Sequence, residues 1–141
     1  MWRAYIPVIT PKAVEIAWAA GILDGEGHFG VHRGHTRMNR FMVQIRVRMT
    51  HKETIQRLQS ILGGAVGGPY QDSRHATWLP IWTWTAGNRA HQAYVVRLLR
   101  PHLVTRRKQA GHVLRFIHWR QQQSVGTGRG SLVVPAWVCH V

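Results

Sequence analysis

"AAGILDGEGHFG", residues 19–30, sets a run of small apolar residues against an abrupt Asp-Gly-Glu-Gly ending. The chain has five Asp and Glu among 141 residues, and two of them, Asp24 and Glu26, stand in this stretch. Just upstream, Thr10 can cap a helix and Pro11 suits the first helical position. The pattern predicts a helix running to Leu23 and ended by Gly25 and Gly27. Ala13, Ala17, Ala20 and Gly21 recur at three- and four-residue spacing and gather on one face. Small side chains let helix backbones approach closely, so this face fits packing on the chain's own sheet or against a second copy of itself. In the second case two helix ends bring two carboxylates to one point. Paired carboxylates near a phosphate-binding surface are a usual means of holding divalent metal for phosphodiester hydrolysis.

The overall charge favours such a surface. Nineteen Lys and Arg give a formal net charge of +14, and a polyanion is the natural partner of that excess. At 45% apolar residues the chain is not disordered by composition, and its length fits one domain with its own core. The apolar run Ile16–Leu23 is too short to span a bilayer, and no basic amphipathic helix has a clean lipid face, so no membrane partner is expected. The opening "MWRAYIPVITP" lacks the features of a signal peptide. The single Cys139 excludes an internal disulfide and a multi-cysteine zinc site. A reducing compartment is expected, cytoplasmic and nucleoid-associated or an organellar matrix.

Outward from the opening stretch, "HFGVHR" (28–33) reads as a strand and residues 34–39 as a turn. "RFMVQIRVRMT" (40–50) alternates Phe41, Val43, Ile45, Val47 and Met49 with Arg40, Met42, Gln44, Arg46 and Arg48. That is a period-2 strand with one buried and one basic face. Thr50 and Glu53 read as a capping box opening a helix with Ile55, Leu58, Ile61 and Leu62, stopped by Gly63-Gly64. Residues 65–72 and 77–86 read as a second strand pair, 88–101 as a third helix and 105–123 as a fourth. The order is α-β-β-α-β-β-α-α, without an internal repeat. Residues 1–10 form an N-terminal extension, 11–123 the domain, and 124–141 a tail of unassigned role.

"AAGILDGEG" (19–27) resembles the nine-residue signature of the LAGLIDADG homing endonucleases. "VRMTHKETIQRLQSILGG" (47–64) resembles the family's second strand and following helix, and "LLRPHLVTRRKQAGHVLRF" (98–116) its C-terminal helix break, basic run and final helix. The resemblance covers roughly residues 11 to 120. It implies an α+β, αββαββα homing-endonuclease fold with an antiparallel β-saddle and the motif helix at a dimer interface. One signature implies a homodimer, with Ala13, Ala17, Ala20 and Gly21 at the contact.

By position, the resemblance implies that Glu26 binds the catalytic divalent cation, Mg2+ or another such as Mn2+, with the Gly25 carbonyl beside it. Many relatives have Asp where this chain has Glu26. Asp24 is the less certain acid, placed to support the helix end or the dimer contact. His51 falls where the family orders water, and otherwise reads as a first-turn helix residue. Arg106 and Lys108 are both candidates for the basic residue that stabilises the phosphate, and the sequence does not choose between them. No Ser or Cys nucleophile is needed.

On the saddle, Arg40, Gln44, Arg46 and Arg48 project to one side, where Arg pairs with guanine and Gln with adenine in the major groove. His28, Gly30 and His32 join them by the same alternation, and Tyr70, Gln71 and Arg74 extend the surface. The spacing His28, His32, His35 is explained by strand alternation rather than by zinc. Trp78, Trp82 and Trp84 are expected in the core and in cross-strand packing rather than as base-stacking platforms. The resulting expectation is a site-specific double-strand DNA endonuclease cutting a long, near-palindromic site and promoting mobility of its host intron or intein. The alternatives are an RNA maturase acting on intron RNA and a non-cleaving DNA-binding regulator.

Overall fold

The computed structural model describes residues 3–7, 10–34, 41–123 and 134–139. Four helices and four strands follow the expected order: α1 (Ala13–Glu26), β1 (Gly27–Arg33), β2 (Phe41–Met49), α2 (Lys52–Leu62), β3 (Ala65–Tyr70), β4 (Ile81–Thr85), α3 (Arg89–Leu99) and α4 (Arg107–Gln123). The strands form one antiparallel sheet in the order β1-β2-β4-β3.

Alternation decides which face of the sheet is covered. Phe29, Ile45, Val47 and Trp84 are buried, and Val47 pairs with Trp84 across β2 and β4. The helices bring Leu23, Ile55, Leu58, Leu62, Val95, Val96, Leu99, Val113 and Ile117 into the same core. Each such side chain contributes about 1.5–3 kcal/mol by leaving water. In α2 the buried positions Ile55, Leu58, Ile61 and Leu62 are those the periodicity marks.

The turn after α2 is closed by polar groups from elsewhere. Gly63 (φ 72°) and Gly64 (φ 90°) take the left-handed backbone that ends the helix. The Trp84 indole donates to the Gly63 carbonyl at 2.7 Å. The buried His91 ring donates from Nε2 to the Leu62 carbonyl at 2.6 Å and accepts the Gly87 N–H on Nδ1 at 2.7 Å.

Several local expectations are corrected. The first helix begins at Ala13, after Lys12, with no side-chain cap from Thr10. It also continues through Gly25 to Glu26, because an exposed glycine costs a helix about 1 kcal/mol and the packing of Leu23 outweighs that. The N-cap of α2 is His51, not Thr50: its Nδ1 accepts the Thr54 N–H at 3.4 Å and lies 2.8 Å from the Thr54 hydroxyl. Strand β4 starts at Ile81 rather than 77, so Trp78 is no core residue but stands 57% exposed in the β3–β4 loop. Residues 134–139 rest on α4, with Val138 buried and its carbonyl 3.1 Å from the His112 Nε2.

Candidate metal site and nucleic-acid interface

The last turn of α1 separates the two acids. The Asp24 carboxylate accepts the Arg106 N–H at 2.9 Å, the Val104 N–H at 3.1 Å and the Thr105 hydroxyl at 3.1 Å. Those donors, the Arg106 amide foremost, hold its carboxyl below the ordinary value against a partial burial that pushes the other way. Asp24 therefore ties the end of α1 to the start of α4, across about eighty residues of chain. Glu26 is exposed, and its carboxylate makes no hydrogen bond or ion pair among the described residues.

A cation at this helix end meets two favourable features. The final carbonyls of a helix lack intrahelical partners and carry the negative end of its dipole, and the last turn of α1 holds no basic residue. The Glu26 carboxylate and the Gly25 carbonyl are both hard oxygen donors of the kind Mg2+ takes. They are half a set: among the described residues no three His, Cys, Asp or Glu side chains converge. The donor chemistry of these two oxygens fits a divalent cation.

The small-residue face of α1 is split. Ala13, Ala17, Gly21 and Gly25 are exposed, and a side chain added at Gly21 or Gly25 would meet nothing within 4 Å. Ala20 is 1% exposed and belongs to the core, so its place at a dimer contact is corrected: it lies about 100° back around the helix from Gly21. Gly27 is needed within the chain itself, since a Cβ there would strike the Leu23 backbone.

The uncovered face of the sheet is the basic one. His28 pairs with Arg46, Gly30 with Gln44 and His32 with Met42. Arg46 and Arg48 in turn face Thr85 and Thr83 of β4. Arg46, Arg48, Thr83, Thr85, Gly67 and Tyr70 line a concavity of about 530 Å³. His28 and His32 lean together over Gly30, their Nε2 atoms 2.7 Å apart and their rings stacked at 5.0 Å. Gly30 is buried beneath them, so its direct contact with DNA is corrected to a supporting place. Burial above all, then the charges of His32, Arg46 and Arg106, pushes the His28 imidazole below its ordinary pKa.

The other sequence candidates are distributed around this face. Arg106 precedes α4 rather than lying in it and is partly buried, and its charge adds to those that lower the His28 pKa. Lys108 is exposed, with no hydrogen bond or ion pair among the described residues. His51 is engaged in capping α2, and its Nε2 lies 3.5 Å from Glu53. Gln71 is exposed in the loop after β3, its amide donating to the Trp78 carbonyl at 2.8 Å. Arg74 is likewise held on Asp72, at 3.2 and 3.0 Å. Arg40 and His35 lie outside the described residues. Thr83 and Thr85 were missed on the basic face, although the alternation of "IWTWT" carries the signal.

No protein-family model and no curated protein matches the chain. Solved structures do. The homing endonuclease I-CvuI, in complex with its target in the presence of Ca, is 20% identical with a TM-score of 0.62, over 79% of this chain and 70% of that one. A second I-CvuI structure, with Mg and uncleaved DNA, is 21% identical with a TM-score of 0.59, over 74% of this chain and 66% of that one. The LAGLIDADG homing endonuclease I-SmaMI bound to cleaved DNA is 16% identical with a TM-score of 0.62, over 85% of this chain and 41% of that one. The chain thus spans about two thirds of I-CvuI and under half of I-SmaMI.

Proposed function

We propose that this chain, which has the fold of the LAGLIDADG homing endonucleases, is a site-specific DNA endonuclease acting as a homodimer with divalent metal. The observation that carries the reading is Glu26: an exposed carboxylate, unpartnered among the described residues, at the negative end of a helix beside a basic antiparallel face. Elsewhere in a chain of net charge +14, such a carboxylate would repel the partner the charge attracts. The exposed stripe Ala13, Ala17, Gly21 and Gly25 supports a second copy packed against the first, which doubles the half set of ligands.

In this reading Glu26 and the Gly25 carbonyl hold the cation, Mg2+ or Mn2+. When bound, the cation polarises the scissile phosphate and lowers the pKa of attached water. Arg106 meets the charge that develops on the phosphate, and as a guanidinium it stays charged throughout. Arg46, Arg48, Gln44, His28 and His32 read base edges, with Thr83, Thr85 and Tyr70 completing the concave face. Two such faces related by a dyad match a long, near-palindromic site, and cutting there would promote movement of the intron or intein encoding the protein. The place of action is wherever that DNA lies, the cytoplasm or an organelle matrix.

The test is incubation of the purified protein with DNA carrying the candidate insertion site. Cleavage with Mg2+ that stops with EDTA is expected. Glu26→Gln is expected to bind the same DNA with unchanged affinity and to leave it intact. Cleavage by Glu26→Gln at the wild-type rate overturns the metal assignment.

A further inference from the structure

The β3–β4 loop, residues 71–80, holds two consecutive large apolar side chains in the open: Trp78 is 57% exposed and Leu79 70%. Nothing in the assignments above uses them. A loop tip of this kind is ordinarily polar, because exposed apolar groups gain nothing from water.

The loop is braced rather than slack. Gln71 donates to the carbonyls of Trp78 and His75, Asp72 holds Arg74 through both side chain and backbone, and two backbone bonds, His75 to Asp72 and Trp78 to His75, close the turns. His75 stacks on one face of the Trp78 ring at 3.8 Å with 10° between the planes. The tip is therefore a two-ring stack whose side chain remains more than half open, with Leu79 beside it.

Its position ties it to the basic face. Tyr70, 53% exposed, lines the concavity with Arg46 and Arg48 and leads directly into the loop. Tyr70 pairs with Ile81 and Met49 with Trp82, so the loop emerges at the end of the sheet where α1 also finishes. An apolar tip continuous with a surface that takes a duplex meets base steps and sugars. Proteins that deform DNA insert side chains of this kind between base pairs.

We infer that Trp78 and Leu79 form an apolar wedge that enters the bound duplex at a base step and unstacks it. The inference rests on the DNA-binding reading above. The wedge favours flexible pyrimidine–purine steps and so adds selectivity at positions that no hydrogen bond reads.

The experiment uses a duplex selected by the full chain from a randomised pool, then labelled with end dyes to report bending and with 2-aminopurine at successive steps to report unstacking. Wild type is expected to raise 2-aminopurine emission at one step per half-site and to shorten the end-to-end distance. Trp78→Ala is expected to abolish both signals and to weaken binding about tenfold to a hundredfold. Its dependence on salt is expected to stay that of wild type, because no phosphate contact is lost. Trp78→Phe, which keeps a flat ring, is expected to restore most of the signal. Binding by Trp78→Ala within twofold of wild type, with bending intact, overturns the wedge. So does a weakened Trp78→Ala whose salt slope also changes, since the loop then only supports the basic face. Self-association of wild type that Trp78→Ala abolishes without DNA overturns it too, because the tip then serves a second copy. If the pool yields no duplex, the DNA-binding reading itself fails, and the wedge with it.

Discussion

Gly21→Leu separates what α1 needs inside one chain from what it needs outside. A glycine within a helix costs about 1 kcal/mol relative to a good helix former. At Gly27 the cost has an internal reason, because a Cβ would strike the Leu23 backbone. At Gly21 there is none: an added Cβ meets nothing within 4 Å. On the isolated chain Gly21→Leu is therefore expected to be stabilising by up to about 1 kcal/mol, which raises Tm by roughly 2–4 °C for a domain of this size. If a second α1 lies against the stripe, the same substitution holds the two backbones apart and association fails. The variant then unfolds at a higher temperature as a monomer, yet loses dimer and activity together. Thermal unfolding by circular dichroism, at a concentration where sedimentation shows monomer, measures the first effect. Sedimentation at high concentration and on DNA measures the second. Gly27→Ala is the control, and it is expected to lower Tm. A Gly21→Leu protein that sediments as a dimer like wild type refutes the packed-helix reading, and one less stable than wild type as a monomer refutes the claim that the face is open.

The remaining expectations concern acid stability, the core and salt. The Asp24 carboxyl lies below its ordinary value in the folded chain, so its stabilisation is fully present above the unfolded carboxylate pKa and is lost as pH falls through the lower folded one. Urea unfolding at stepped pH is expected to show Asp24→Asn less stable than wild type at neutral pH, with the gap narrowing below about pH 4. His91→Ala takes away the partner of the Leu62 carbonyl at a buried position and that of the part-buried Gly87 N–H. At about 1–3 kcal/mol for a buried unsatisfied group, the urea midpoint is expected to fall by the equivalent of at least about 1 kcal/mol; a smaller loss means that water reaches the Leu62 carbonyl. Arg48→Ala is expected to weaken DNA binding by the equivalent of about 1–3 kcal/mol and to relax discrimination at one base position while changing the salt slope little, read by anisotropy across a salt series and across base substitutions. A slope of log affinity against log salt that falls by about 0.9 would mean that Arg48 contacts phosphate instead of a base edge.

Where one local rule acted alone, the sequence was enough. Strand β2 follows its strict alternation, with Ile45 and Val47 inside and Met42 and Arg48 outside. Helix α2 buries the four residues its periodicity marks and stops at Gly63. Local signals failed where a distant group intervened. Gly25 looks like a helix stop, but the helix passes through it into a last turn that Asp24 fastens to a segment eighty positions away. Thr50 and Glu53 match the capping box, but the His51 ring takes the cap position. Ala20 and Gly21 are adjacent and both small, and only the placement of the core tells which of them faces out.

The pairing of Asp24 with Glu26 follows from helix geometry. Two positions along an α-helix turn the side chain by about 200°, so neighbouring acids in this spacing point to nearly opposite sides. Asp24 points toward the loop before α4, where three donors await it. Glu26 points away from that loop and finds no donor among the described residues. Had the acids stood three or four apart, both would have faced the same donors. The clamp also sets the backbone at Arg106, since the amide that Asp24 binds is that of the arginine whose charge helps lower the His28 pKa. One short helix end therefore fixes the end of α1 and the backbone at Arg106, on separate segments, by a single set of hydrogen bonds.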